Sequence, residues 1–97
     1  MKTVDTAKRD EAIRKAIEET LKPARIREVR VREDVDHDGD PIYMIIVILA
    51  GENEQLDTGK VMMLFDAVGK AARQYDEQER FPVFRFMTPS EAEYAAA

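Results

Sequence analysis

The dipeptide Asp38–Gly39 lies between two stretches of β-forming residues, and it constrains the fold of this 97-residue chain more than any other feature. Aspartate and glycine tolerate the positive φ angles of a type I′ turn. The pair therefore predicts a β-hairpin whose strands span about residues 25–35 and 41–50. A hairpin alone is marginally stable, so other elements must cover at least one of its faces.

A turn closed at these two residues also fixes which side chains share a face of the hairpin. Val31 then lies opposite Ile46, and a slip of one residue would move every side chain of the second strand to the other face. We expect two helices to cover the face that carries Val29, Val31, Ile46 and Ile48.

The remaining segments show helical and strand patterns. Apolar residues recur at helical spacing in two segments, and a capping box at Thr88 starts a third helix. The predicted helices span about residues 6–21, 58–76 and 89–96, and a third strand spans about 81–87. The chain is therefore predicted to be a single α+β domain in the order α-β-β-α-β-α, with a three-stranded sheet. A right-handed crossover makes the third strand parallel to the second, beside either the first or the second strand.

The second strand is apolar on both faces, which a sheet covered on one side only does not require. Either the C-terminal helix or another chain must cover the face opposite the two helices. That helix offers little besides Tyr94 and alanines, so another chain is favoured. The predicted interface residues are Tyr43, Ile45, Val47 and Leu49. The leading hypothesis is a protein–protein interaction module or accessory subunit that forms a homodimer or binds a protein partner.

An acidic turn is the one local string that looks like a metal-binding motif. It begins like a calcium-binding loop, but the position of the required bidentate glutamate is Ile45. Side-chain hydrogen bonds within a turn explain the same residues, so a weak divalent-metal site is only an alternative. Next to these carboxylates, His37 is interpreted as a solvated residue. The candidate ligands are Asp34, Asp36, Asp38 and Asp40.

Four arginines in the first strand support the runner-up hypothesis, which ranks above the metal site: a nucleic-acid-associated regulator. They could contact phosphates or an acidic partner, and charges on an edge strand also discourage unwanted pairing. The strand lacks aromatic residues for base stacking, and the net charge of the chain is −5. These residues are Arg25, Arg27, Arg30 and Arg32.

Enzymatic function is not favoured. The chain has no cysteine and one histidine, and its only serine, Ser90, starts a helix, so a catalytic triad is not predicted. Gly59–Lys60 lacks the glycine and the hydroxyl residue of a phosphate-binding loop, and no cofactor is predicted. The longest apolar run, 42–50, is much shorter than the roughly 20 residues that span a bilayer. We expect a soluble, cytoplasmic protein.

Overall fold

A mixed sheet and three helices follow one another in the order α-β-β-α-β-α in the computed structural model, which describes residues 5–96. The helices are α1 (Thr6–Leu21), α2 (Thr58–Arg73) and α3 (Pro89–Ala96). The strands are β1 (Ile26–Val35), β2 (Pro41–Leu49) and β3 (Phe81–Met87). The predicted α+β class and the order of the elements are confirmed. No helix within residues 5–96 has the length and apolar character needed to cross a membrane.

β2 is the central strand of the sheet. It pairs with β1 in antiparallel fashion and with β3 in parallel fashion. The parallel orientation of the third strand is therefore confirmed, and its position, which the sequence left open, is beside the second strand. As a result, β1 and β3 are both edge strands.

The hairpin loop differs from the predicted one by a single residue. The Asp36 N–H donates to the Asp40 carbonyl at 2.9 Å, and the Gly39 N–H donates to the Asp36 carbonyl at 3.0 Å. Gly39 has a φ of 84°, whereas no other residue in 5–96 has positive φ. This is a three-residue loop of the kind in which a glycine follows a type I turn. The predicted type I′ turn at Asp38–Gly39 is therefore wrong.

This extra loop residue shifts the pairing of the hairpin by one position. Val31 pairs with Ile45 instead of Ile46, and Val29 pairs with Val47. Because side chains alternate along a strand, the shift exchanges the two faces of β2 relative to the valines of β1. The prediction that Ile46 and Ile48 share the valine face is wrong. The face under the helices carries Val29, Val31, Tyr43, Ile45 and Val47.

α1 and α2 pack against each other and cover this face of the sheet. Asp5 and Asp57 cap the two helices by accepting hydrogen bonds from the amides of Lys8 and Lys60, at 3.0 and 3.1 Å. Each helix presents an aliphatic stripe at three- and four-residue spacing. The helical residues of the core are Ile13, Ile17, Leu21, Leu64, Val68 and Ala72.

The opposite face of the sheet, which we call the open face, is covered by α3 at one end only. α3 lies against β2 and β3 and forms a cavity with Arg85 and Met87. Its start has the predicted capping box, in which Thr88 and Glu91 exchange hydrogen bonds at 3.1 and 3.2 Å. On this face the apolar residues of β2 are flanked by the charged residues of β1. They are Ile42, Met44, Ile46 and Ile48.

Candidate functional site

The four residues predicted to form an interface lie inside the chain. Tyr43, Ile45, Val47 and Leu49 are between 0 and 6% exposed and belong to the core under α1 and α2. They are buried, as expected, but by the helices of their own chain, so they cannot form the core of an interface with a second copy. The predicted interface is therefore wrong. The three-residue loop turns the face of β2 that carries these four residues towards the helices.

A cluster of charged side chains occupies one end of the core. Arg9 belongs to α1 and is 1% exposed. Its guanidinium donates to Glu33 at 2.9 Å and to Asp10 at 3.1 Å, and it lies 3.5 Å from Asp76. Glu33 also contacts Arg80 at 3.0 Å. The cluster therefore connects α1, β1 and the segment between α2 and β3.

Tyr43 lies at the centre of this cluster. Its hydroxyl donates to Asp76 at 2.8 Å. The guanidinium carbons of Arg9 and Arg80 lie 5.1 and 5.9 Å from the centre of its ring, within the range of cation–π attraction. Burial raises the pKa of the Tyr43 hydroxyl, and the hydrogen bond to Asp76 raises it further. Tyr43 is therefore a neutral hydrogen-bond donor at physiological pH.

The pKa of Asp76 is shifted in the opposite direction, downwards. Burial disfavours its charged form, but the hydrogen bonds from Tyr43 and from the Gln78 amide, together with the charge of Arg9, outweigh burial and lower its pKa. Both Tyr43 and Asp76 are buried, at 2 and 7% exposure, so a substrate in solvent cannot reach them. This burial favours a structural role for the cluster.

Sequence reasoning missed this cluster, although one signal was available. Arg9 lies four residues before Ile13 and eight before Ile17, on the apolar stripe of α1. A charged residue at such a position indicates either a stem that reaches solvent or a buried partner. Its partners come from distant parts of the chain, so the sequence does not identify them.

The arginines of the first strand do not form one basic patch. Arg30 and Arg32 are exposed on the open face, where Arg30 forms an ion pair with Glu28, and Arg32 with Asp34 at 3.1 Å. Arg25 and Arg27 are exposed at the start of β1. Alternation of arginine with a carboxylate two residues away lowers the positive potential that phosphate binding needs.

The acidic turn brings together three of its four aspartates. Carboxylate oxygens of Asp36, Asp38 and Asp40 lie within 4.8 Å of one another. However, the Asp36 Oδ1 atom already accepts hydrogen bonds from the Asp38 and Asp40 amides, both at 2.9 Å. Asp34 instead contacts Arg32, and His37 is exposed in the loop. Side-chain hydrogen bonds thus stabilise the turn without an ion.

Large apolar side chains lie exposed beside β3. Met62 and Phe81 are 64 and 63% exposed. A cavity of about 370 Å³ opens there between α2 and β3. The Phe65 ring packs edge-on against Phe84, with ring centres 5.3 Å apart. We call this cavity the β3 edge groove. It is lined by Val61, Met62, Phe65, Phe81, Pro82, Val83, Phe84 and Phe86.

The peptide groups of alternate β3 residues point away from the sheet. Asp36 and Asp40 form a hydrogen-bonded pair, and such pairs alternate with non-bonded pairs along the antiparallel β1–β2 ladder. The even-numbered residues of β2 therefore direct their peptide groups to β1. The odd-numbered residues of β2 direct theirs to β3. In a parallel ladder, each odd-numbered residue of β2 forms hydrogen bonds to the two residues that flank its β3 partner. The peptide groups of the partner itself then point outward, away from β2. The β3 partners are Pro82, Phe84 and Phe86.

Pro82 fits this arrangement because its missing N–H falls on the outer side, where no bond to β2 is lost. Phe84 and Phe86 each present an amide and a carbonyl along the outer side of β3, with no hydrogen-bond partner within residues 5–96. The groove therefore lies beside a row of unpaired peptide groups.

The two edges of the sheet differ in charge. β1 carries six charged residues in ten, whereas β3 carries only Arg85 in seven. Charged side chains on an edge strand oppose pairing with other chains, and β3 lacks this protection apart from Arg85 and the early Pro82. On the open face, by comparison, Met44 and Ile46 are half-buried and Ile42 and Ile48 are buried, whereas the groove exposes Met62 and Phe81. The β3 edge groove is therefore the more accessible apolar surface.

No protein family model matches this chain, and no curated protein or solved structure is significantly similar to it.

Proposed function

We propose that this chain is a small cytoplasmic protein–protein interaction module that receives an extended segment of a partner on the free edge of β3. The observation that carries the proposal is the row of unpaired peptide groups beside the β3 edge groove. In strand addition, backbone hydrogen bonds supply affinity, and pockets for alternate side chains supply specificity. A chain without cysteine also fits a reducing compartment.

The exposed side chains of the groove support this mode of binding. Met62 projects from α2 and Phe81 from the start of β3, so an added strand would cover both. Fully burying one such side chain contributes roughly 1.5–3 kcal/mol. Because Met62 is 64% exposed, covering it would contribute about two thirds of that amount. The groove thus adds apolar contacts to the hydrogen bonds of the edge.

The chain offers a matched pair of variants for testing this proposal. Met62 and Met63 are neighbours on α2 with nearly equal exposure, 64 and 62%, but only Met62 lines the groove. Neither Met62→Asp nor Met63→Asp should unfold the protein, because both side chains face solvent. A difference in binding between the two variants therefore reports on the groove.

The experiment selects short peptides with apolar residues at alternate positions and follows the best binder by NMR amide exchange. We expect protection of the Phe84 and Phe86 amides, lost with Met62→Asp and retained with Met63→Asp. The same peptide N-methylated at alternate amides, which cannot form strand hydrogen bonds, should not bind. Absence of any binder, or protection elsewhere in the chain, would contradict the proposal.

A further inference from the structure

We infer that the segment seated on the β3 edge is β3 of a second copy of this chain, paired antiparallel about a two-fold axis at Phe84. The inference rests on the proposed function and names the partner. Its support comes from the hydrogen-bonding pattern, the side chains and the charge distribution of β3.

The outward peptide groups of β3 are self-complementary in this register. With Phe84 opposite Phe84 of the second copy, each Phe84 amide meets the other Phe84 carbonyl. Each Phe86 amide meets the Pro82 carbonyl of the other copy. Every outward amide of β3 is then paired, and the missing N–H of Pro82 leaves only the Phe86 carbonyl to water.

The side chains favour the same register. It places Arg85 opposite Val83 of the second copy, on the open face. Two neighbouring antiparallel registers also pair outward peptide groups. The one centred on Val83 sets Phe86 opposite Arg80, which lies outside β3. The one centred on Arg85 would place two Arg85 side chains directly opposite each other, and like charges opposite each other are destabilising. The two-fold axis at Phe84 avoids this contact.

The charge distribution favours a second copy over a foreign segment. The chain has a net charge of −5, yet β3 contains no acidic residue and the groove is lined by apolar side chains. Two copies can therefore pair their β3 strands without placing acidic residues opposite each other. No charged group in the groove lining selects an oppositely charged ligand.

An interface of ordinary size requires α2 as well as β3. A standard interface buries about 800 Å² of each partner. The chain exposes 6582 Å², so such an interface would be about one eighth of this surface. A single strand edge is too narrow for that, so the exposed part of α2 around Met62 must take part. The two-fold axis places both α2 helices on the same face of the joined sheet, next to the axis.

The first experiment measures the mass of the purified chain by analytical ultracentrifugation over a range of concentrations. We expect a monomer–dimer equilibrium that Met62→Asp weakens by about tenfold or more, as for the loss of a well-packed apolar contact, and that Met63→Asp leaves unchanged. A chain that stays monomeric up to about 1 mM, the weak limit of specific association, would overturn the inference.

The second experiment tests the register by disulfide formation, for which a chain without cysteine is a clean background. In the inferred register, residue 83 is paired with residue 85 of the other copy, while like positions are more than about 7 Å apart, too far for a disulfide. Val83→Cys mixed with Arg85→Cys should give a covalent heterodimer under mild oxidation. Either variant alone should not.

The outcomes separate the two proposals. Rapid crosslinking of either variant alone would overturn the inferred register. A monomeric chain whose Phe84 and Phe86 amides are protected by a selected peptide would overturn the second copy as partner but leave the proposed function standing. A monomeric chain that binds no peptide would overturn both.

Discussion

Arg9 is a charged residue at a position where the helix of a small domain normally carries an aliphatic one. Moving a guanidinium out of water is unfavourable unless the geometry of its partners compensates. Glu33, Asp10 and Asp76 surround it, and the Tyr43 ring lies beside it. The net gain from such a buried cluster is small, but the removal of one member leaves the others unpaired.

Arg9→Ala should therefore destabilise the chain strongly. We expect a loss of about 3–5 kcal/mol in the free energy of unfolding, because the buried Asp76 loses a charged partner and the half-exposed Glu33 loses its ion pair with Arg9. Urea denaturation followed by circular dichroism measures this. Arg14→Ala is the matched control, since Arg14 pairs with Glu11 and Glu18 on the exposed side of the same helix and should matter little. Equal losses for the two variants would contradict a structural role for the cluster.

Asp76 should make stability depend on acidity. Its folded-state pKa lies below the ordinary value of 3.8. The stability that it contributes is therefore fully present above that value and is lost as pH falls through the lower folded pKa. We expect the wild-type chain to lose more unfolding free energy between pH 6 and pH 2 than Asp76→Asn does. Parallel acid dependence of the two proteins would show that Asp76 is not the group responsible.

At the level of elements, the sequence predicted every helix and strand but assigned the wrong face of β2 to the core. Periodicity and caps are local signals, and they determine where elements begin and end. Which face of β2 lies under the helices depends on the number of residues in the hairpin loop. Asp38–Gly39 fits a two-residue type I′ loop and also the end of a three-residue loop in which only Gly39 has positive φ. Because β2 is apolar on both faces, its composition does not distinguish the two loop lengths.

The observed register predicts different responses to two adjacent substitutions in β2. Val47 is fully buried under the helices, while Ile46 is half-buried on the open face. Val47→Asp buries an unpaired charge and should cost more than about 4 kcal/mol, enough to unfold a domain of ordinary stability. Ile46→Asp should leave the helical circular dichroism signal in place. A folded Val47→Asp variant would contradict the register.

The acidic turn predicts weak calcium binding at most. Asp36 already uses one carboxylate oxygen for two amide hydrogen bonds, and the position of the bidentate glutamate is the buried Ile45. We expect dissociation constants of about 1 mM or weaker, judged by the weak end of calcium sites in proteins. NMR amide shifts during a calcium titration measure this. Saturable micromolar binding confined to residues 34–40 would contradict it.

The candidate site could not be predicted from the sequence for a topological reason. The residues of β3 were recognised as a strand. Whether that strand is an edge depends on the order of strands in the sheet, and the crossover rule allows it beside either strand of the hairpin. The unpaired peptide groups follow only once β2 is known to be central.

At the scale of the whole molecule, the sheet is asymmetric in chemistry. Its helix-covered face is closed by the chain itself, and its open face is partly covered by α3. Of the two edges, β1 is charged along its length and β3 is apolar. Surfaces that could associate with another protein are thus concentrated on one side of the molecule.

The charged β1 edge would limit any assembly that forms through β3. When β3 pairs with β3 of a second copy, both ends of the joined sheet are β1 edges, where alternating arginines and carboxylates oppose the addition of a further chain. We expect association to stop at a closed particle even in concentrated solution, as measured by light scattering. Replacing Glu28, Arg30, Arg32 and Asp34 with threonine should remove this barrier and allow open-ended growth into filaments. In the inferred dimer, the charges of β1 would therefore end the sheet on both sides, and the strand that does not pair would limit the number of copies to two.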